Sequence, residues 1–182
     1  MPEPLQEPSQ TKTPAQAAPS QAVDAQKVRD YFEARDVVDE YAQAALWIGL
    51  WESEKKIFEK TFAPHMRLLE LGCGAGRIAI GLHRRGYRHI AGVDICAPMI
   101  EKARALAAQL EIPEENLSFQ TADATDLKNF ASGSFDGAIF GFNGLMQIPG
   151  HAQRQKAMTE IFRVLKKDAR FVFTTHDRAN PF

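Results

Sequence analysis

Cysteine is scarce in this chain: Cys73 and Cys96 are the only two among 182 residues. That is too few for a disulfide framework and is in keeping with a reducing compartment. Long apolar runs are missing too, none approaching the roughly 18 residues that a membrane-spanning helix needs. Met1 to Gln10 carries acids and prolines where a secretory signal would place a basic stretch and an apolar core. A soluble, cytoplasmic protein is expected, with no membrane partner. An excess of charge of one sign is also lacking. Lys and Arg number 22 against 23 Asp and Glu, for a net charge of -1 and a pI near 6.5, so electrostatics offer no reason to expect nucleic acid. No metal site is expected, and the oligomeric state stays open.

Proline is present but uneven, with five of the ten in the first twenty residues among Gln, Ala, Ser and Thr. Such a stretch buries too little apolar surface to offset its ordering entropy, so residues 1–23 are read as a disordered tail. From Asp24 the spacing becomes helical: Val28, Tyr31 and Phe32, then Val37, Val38, Tyr41, Ala45 and Ile48 recur on one face,. Two or three helices fit residues 24–63. Ser53 or Glu52 is placed to start the last of them, which carries Ile57, Phe58 and Phe62,. Trp47 and Trp51 flank Gly49 there; aromatics at this spacing read as core, while the glycine between them suits a lid over a cleft.

Residues 64–182 alternate strand and helix. Strands are expected at Arg67 to Leu71, His89 to Asp94, Leu117 to Thr121, Phe135 to Phe140 and Arg170 to Thr175,. Amphipathic runs separate them, one with Met99, Ala103, Leu106 and Leu110 on its apolar stripe and one with Met158, Ile161, Phe162 and Leu165,. Repeated strand, crossover helix and parallel strand predict an α/β fold with a doubly wound, mostly parallel sheet behind N-terminal helices.

The first strand runs into "LLELGCGAGRIA", Leu68 to Ala79, with three glycines in five positions. Gly72, Gly74 and Gly76 permit positive φ and leave the backbone open to a ligand, and the helix that follows turns its free N–H groups toward the same loop. Such loops also occur for purely structural reasons, so the context matters. Asp94 ends the second strand 18 positions after Gly76, where a carboxylate can accept both hydroxyls of a ribose; capping the helical run from Pro98 or Met99 is its plainer role. Asp123 followed by Ala124 pairs a carboxylate with a backbone N–H, a match for the edge of adenine, although a loop or capping role is open to it as well. A dinucleotide loop would have a small residue where Arg77 stands. Its presence leans away from a nicotinamide cofactor and toward S-adenosylmethionine.

The chain resembles the class I S-adenosylmethionine-dependent methyltransferases over roughly Glu52 to Asp177. The resemblance rests on "LLELGCGAGRIA", "GVDICAPMIEKAR", "TADATDL", "FDGAIFGFNGLMQIP" and "EIFRVLKKDARFVFTTHD" in that order. It implies a Rossmann-like fold, S-adenosylmethionine as cofactor, and methyl transfer to an acceptor that is expected to be a small molecule. Glu70, Gly72, Gly74 and Gly76 would then frame the methionine part, Asp94 would hold the ribose, Ile95 and Met99 would flank the adenine, and Asp123 with Ala124 would read its edge. Phe140 is a further candidate beside the sulfonium, as are Phe142, Trp51 and Tyr31.

In-line displacement asks the protein mainly to align nucleophile, methyl and sulfur. The loop "GFNGLMQIPGH" is where this fold faces the acceptor, which makes Asn143, Met146 and Gln147 the candidate contacts. His176 and Asp177 follow the last strand and, with Asn143, are the candidates for a catalytic role; His151 is the other histidine near a strand end. The N/D-P-P-Y/F signature of methyltransferases acting on base or glutamine amino groups is missing, as is the K-P-G-G turn before the fifth strand. Lys166, Lys167, Asp168 and Ala169 stand in place of that turn, so Asp168 must take any positive φ. Because members of the family continue beyond the fifth strand, the chain is expected to be C-terminally truncated, leaving a sheet edge open. The alternatives are a cofactor-binding domain without turnover and a nicotinamide-dependent oxidoreductase.

Overall fold

The computed structural model of the chain describes residues 25–176; the expected tail, residues 1–23, and the candidate Asp177 lie outside the described residues. Five short apolar segments form the strands β1 (Arg67–Leu71), β2 (His89–Asp94), β3 (Leu117–Thr121), β4 (Phe135–Phe140) and β5 (Leu165–Phe173). They make one parallel sheet in the order β3-β2-β1-β4-β5. The helices are α1 (Ala25–Glu33), α2 (Arg35–Trp47), α3 (Glu52–Thr61), α4 (Arg77–Arg84), α5 (Ala97–Gln109), the single turn α6 (Gly144–Gln147) and α7 (His151–Val164). This is the expected doubly wound α/β fold, and its order reverses between β1 and β4. No helix among the described residues is long and apolar enough to cross a membrane.

Both faces of the sheet are covered, which is why β1 is buried at four successive residues rather than alternately,. Leu68 packs on one face with Ile78, Ile80, Leu82 and Ile100 under α4 and α5. Leu69 and Leu71 pack on the other with Ala138, Ile161 and Val164 under α7. Each such leucine contributes about 1.5–3 kcal/mol by leaving water. Polar pins hold the ends of the sheet: Asp136 accepts from the backbone N–H of Arg67 at 2.8 Å and from Nζ of Lys166 at 2.6 Å. Glu160 accepts from the backbone N–H of Leu127, and Arg163 donates to the carbonyls of Leu127 and Phe130. Together they bind α7 to the segment that precedes β4.

Three expectations need correction. β5 begins at Leu165, directly after α7, and ends at Phe173, not at 170–175. Asp168 does take the positive φ, at 62°, but inside the strand: Phe135 pairs with Leu165 and Gly137 with Arg170, so the missing glycine turn is absorbed as an irregularity of β5. In α7 the buried face is Ala157, Ile161 and Val164. Met158 is exposed and Phe162 is 81% exposed, because the smaller Ala157 and Val164 meet the sheet and rotate the stripe away from them. The tryptophans are not core either: Trp47 is 85% exposed and Trp51 nearly half exposed, since Ala42, Ala45 and Leu50 supply the buried contacts of that region.

Candidate active site

In an open parallel sheet the strand ends part where the order reverses, and here β1 and β4 part. Gly72, Gly74 and Gly76 follow β1 with φ of 59°, 53° and 88°. At Gly72 a β-carbon would stand 2.7 Å from the Phe140 ring, and at Gly74 3.1 Å from the Tyr41 ring. Side chains are excluded here, so the main chain itself is the surface. Phe140, expected beside the cofactor, is buried and props Gly72 and Gly144 from below.

Glu70 shares the Leu68 face of β1 and is fully buried, its Oε2 accepting from the backbone N–H of Ala79 at 2.8 Å. Burial pushes its carboxyl up to about 8, against the opposing pull of the Arg77 guanidinium and the Ala79 N–H,. A neighbouring cation would favour its ionised form. Asp94, at the end of β2, uses both oxygens: Oδ2 accepts from the N–H of Gly74 at 2.8 Å and Oδ1 from the N–H of Cys96 at 2.9 Å. The second bond closes a turn onto the residue before α5 and does not cap the helix, whose N-cap Cys96 makes no side-chain cap bond, so the plainer role read from the sequence is not the one seen. A carboxylate oxygen has room for a further donor, so these two bonds leave the ribose reading open. Burial raises the Asp94 carboxyl while the N–H groups of Cys96, Gly74 and Ile95 pull it down.

Asp123 follows β3. Its Oδ1 accepts from the N–H of Thr125 at 2.8 Å and its carbonyl from the N–H of Asp126, a tight turn that carries Ala124. Met99 is buried in α5, and Ile95 is exposed beside Asp94. Because the sheet order is β3-β2-β1-β4 across this edge, the loops bearing Asp123, Asp94, the glycines and Asn143 lie side by side in that sequence. The result is a trough with a carboxylate over each of β3 and β2 and a bare-backbone cradle over β1.

A cavity of about 280 Å³ opens at the β1/β4 end of the trough. Glu70, Gly72 and Cys73 form its floor, with Tyr41, Ile48, Trp51, Ile78 and Phe142 around it. Phe142 and Asn143 follow β4 in left-handed conformations, φ 49° and 58°, and the N–H of Asn143 donates to Oγ1 of Thr174 at 2.7 Å. The Phe142 ring packs on Tyr41 and Trp51, with centroids at 6.3 and 5.7 Å. Met146 and Gln147 are exposed on α6, and Asn143 is half-buried. His176 and His151 are exposed, and neither lines the cavity. No cluster of metal-ligating side chains occurs among the described residues.

Two contributors were not readable from spacing. Tyr41 was assigned to an apolar stripe, yet its ring lies over Gly74. Arg77, used only to weigh one cofactor against another, donates twice to Glu54, at 2.6 and 2.7 Å, and once to the carbonyl of Gly49 at 2.7 Å. The only hint of its partner in the sequence was an acid in the first turn of the helix carrying Phe58.

Comparison with known proteins places this arrangement. Residues 68–168 match the family described as Methyltransferase domain. An S-adenosyl-L-methionine-dependent Diels-Alderase, iccD, of Talaromyces variabilis is 37% identical over 113 residues, 62% of this chain and 37% of that protein. A demethylmenaquinone methyltransferase of Leptospira interrogans is 33% identical over 115 residues, 63% of this chain and 44% of that one. The chain thus spans less than half the length of these two relatives. Among solved structures, the [4+2]-cyclase SpnF superposes with a TM-score of 0.68 over 83% of this chain and 60% of its own, at 21% identity, a likeness of fold. The glycine cradle, in which a β-carbon would collide with Phe140, and the paired carboxylates fit an extended nucleoside with a cationic end. The chain belongs to the methyltransferase domain family, with S-adenosylmethionine as its cofactor.

Proposed function

We propose that this chain carries out methyl transfer from S-adenosylmethionine to a small-molecule acceptor. The observation that carries the reading is the succession of Asp123, Asp94, the glycine cradle and the aromatic cavity along one sheet edge. In this reading Asp123 and the N–H of Ala124 take the adenine edge, with Met99 and Ile95 beside the ring. Asp94 takes the ribose hydroxyls, and Gly72, Gly74, Gly76 and Glu70 receive the methionine end. The cofactor supplies an electrophilic methyl on a sulfonium, and its transfer to a nucleophile leaves a neutral thioether.

The chain's own share is alignment. Ionised Glu70 would balance positive charge at the cavity floor, and the Tyr41, Trp51 and Phe142 rings would seat the acceptor and keep water out. Asn143, Met146 and Gln147 stand at the rim. No histidine is among the cavity-lining residues, and the two carboxylates there, Glu40 and Glu70, are the groups placed to take a proton from a nucleophile. Apolar walls favour an acceptor with a flat, uncharged body, a class to which the substrate named for the Leptospira relative belongs,. A cytoplasmic location accords with two buried thiols, Cys73 and Cys96,.

Calorimetry with S-adenosylmethionine and S-adenosylhomocysteine should give saturable heat from the wild-type protein. Asp94→Ala should weaken both ligands by at least about tenfold, since it removes hydrogen bonds to a charged group; unchanged affinity would remove Asp94 from the ribose. Radiolabelled methyl should pass to members of a panel of planar phenols and quinols. The likeness to iccD, an S-adenosyl-L-methionine-dependent Diels-Alderase, supports a second reading, a Diels-Alder ring closure, a reaction that transfers no methyl group. A cyclised product without S-adenosylhomocysteine release would establish it in place of methyl transfer.

A further inference from the structure

Arg77 does more in this structure than open α4. Its guanidinium donates to both carboxylate oxygens of Glu54 on α3 and to the Gly49 carbonyl, and lies over the Trp51 ring with 4.9 Å to the centroid. Glu54 is buried and the Arg77 side chain only 13% exposed. Bidentate contact, a carbonyl and an aromatic face together satisfy a guanidinium as a lysine ammonium could not. The segment thus seized runs from Gly49, in the link between α2 and α3, to Glu54 in the first turn of α3. It carries Trp51, which in turn packs on Phe142 across the cavity. Arg77 itself follows the last cradle glycine without an intervening residue.

We infer that Arg77 is a positioning residue that couples the cofactor cradle to the aromatic acceptor wall, through Glu54, Trp51 and Phe142. When the cradle settles on its ligand, the first residue of α4 moves with it. The ion pair passes that movement to Trp51, so a filled donor site and a formed acceptor wall go together. Two features suit a coupling rather than a mere brace. The link contains Gly49 at φ 61°, where a β-carbon would meet nothing within 4 Å, and the wall residue Phe142 sits in a left-handed conformation that its neighbours must hold in place. The inference rests on the S-adenosylmethionine reading of the cradle.

Trp51 supplies a readout independent of turnover. In a Trp47→Phe background it is the sole tryptophan. Saturation with S-adenosylhomocysteine should then lower its quenching by acrylamide at least twofold. Adding Arg77→Lys should abolish that protection while calorimetry still shows ligand heat. Glu54→Gln, which leaves the cradle untouched, should reduce both the protection and the affinity, the latter by about three- to tenfold. A double replacement, Glu54→Met with Arg77→Met, removes the pair without stranding a charge but also the bond from the Trp51 N–H to Glu54 that caps α3; it should lower the melting temperature by only a few degrees yet lose the protection. Wild-type protection in Arg77→Lys, or in Glu54→Gln should the lysine variant bind no ligand, overturns the coupling and leaves the cofactor reading standing. Absence of ligand heat in the unsubstituted protein overturns both, and is seen before any variant is made.

Discussion

The cradle after β1 and the wall after β4 face each other across the cavity and use the same backbone conformation for opposite ends. Left-handed residues in the cradle are glycines, Gly72, Gly74 and Gly76; in the wall they are Phe142 and Asn143. Glycine enters that region freely, whereas a residue with a β-carbon pays roughly 1–2 kcal/mol. The cradle therefore presents main chain without side chains, its shape fixed by bonds from the Gly74 N–H to Asp94 and from the Gly76 N–H to the Cys73 carbonyl. The wall presents side chains at an angle that relaxed backbone would not give, held by the Thr174 hydroxyl and by the Tyr41 and Trp51 rings. Under the proposed function the methionine end of the donor meets glycine backbone while the acceptor meets side chains, so the wall can be retuned by substitution without disturbing the glycine turn.

The contrast breaks most severely at Gly76. Gly76→Val would combine a φ of 88° with a β-carbon 2.7 Å from the Phe119 ring. Strain and overpacking together should cost about 2–5 kcal/mol, measured as a fall in the urea midpoint. Gly133 has a φ of 64° but nothing within 4 Å, so Gly133→Ala should show the conformational part alone, about 1–2 kcal/mol. Equal losses at the two positions would mean that Gly76 serves the turn and not the space.

Next in size is the charge beneath the cradle. Glu70 holds its proton up to about 8 when folded and releases it near its ordinary 4.5 when unfolded. The folded state thus binds more protons across that window, and stability is full below about 4.5 and declines as pH rises toward 8. The slope should reach at most about 1.4 kcal/mol per pH unit. Glu70→Gln, followed by denaturation at several pH values, should flatten this decline; a wild-type slope in the variant would assign it to Asp94, whose carboxyl burial also raises.

Strand positions were legible in the sequence because β1, β2 and β4 are near-continuous buried runs, the edge strand β3 alternates about Leu117 and Phe119, and turn residues bound them; all four match their expected limits. β5 was misplaced because its first residues, Lys166 to Asp168, are polar and exposed: a strand that starts at a sheet edge has no need of apolar residues there. The cradle and Asp94 were legible for a different reason, since a backbone surface demands glycine and a strand end is a fixed address. The cavity walls were not. Tyr41 reaches the site from α2, whose periodicity reports only that one face is apolar and not whether it meets the sheet or a ligand, and Trp51 from the extended residue before α3, which no periodicity marks. Arg77 with Glu54 is a contact across 23 residues, and nothing local marks either partner.

The gentlest perturbation separates wall from cradle by sign. Asn143 is left-handed at φ 58° and makes no side-chain cap to α6, so its conformation is held by its backbone bond to Thr174 and by the loop around it. Asn143→Gly removes the β-carbon penalty while leaving that N–H in place. Folding should therefore become more favourable, by a few tenths to about 1 kcal/mol, the lower end applying because asparagine tolerates this region better than most residues. Cofactor affinity should stay within about twofold, because the residue stands over β4 and not over β1 or β2. Acceptor turnover should fall, because the amide at the cavity rim is gone. A stabilised protein with intact cofactor binding and reduced turnover is the signature of strain kept for the acceptor, whereas unchanged turnover would confine acceptor recognition to the aromatic rings.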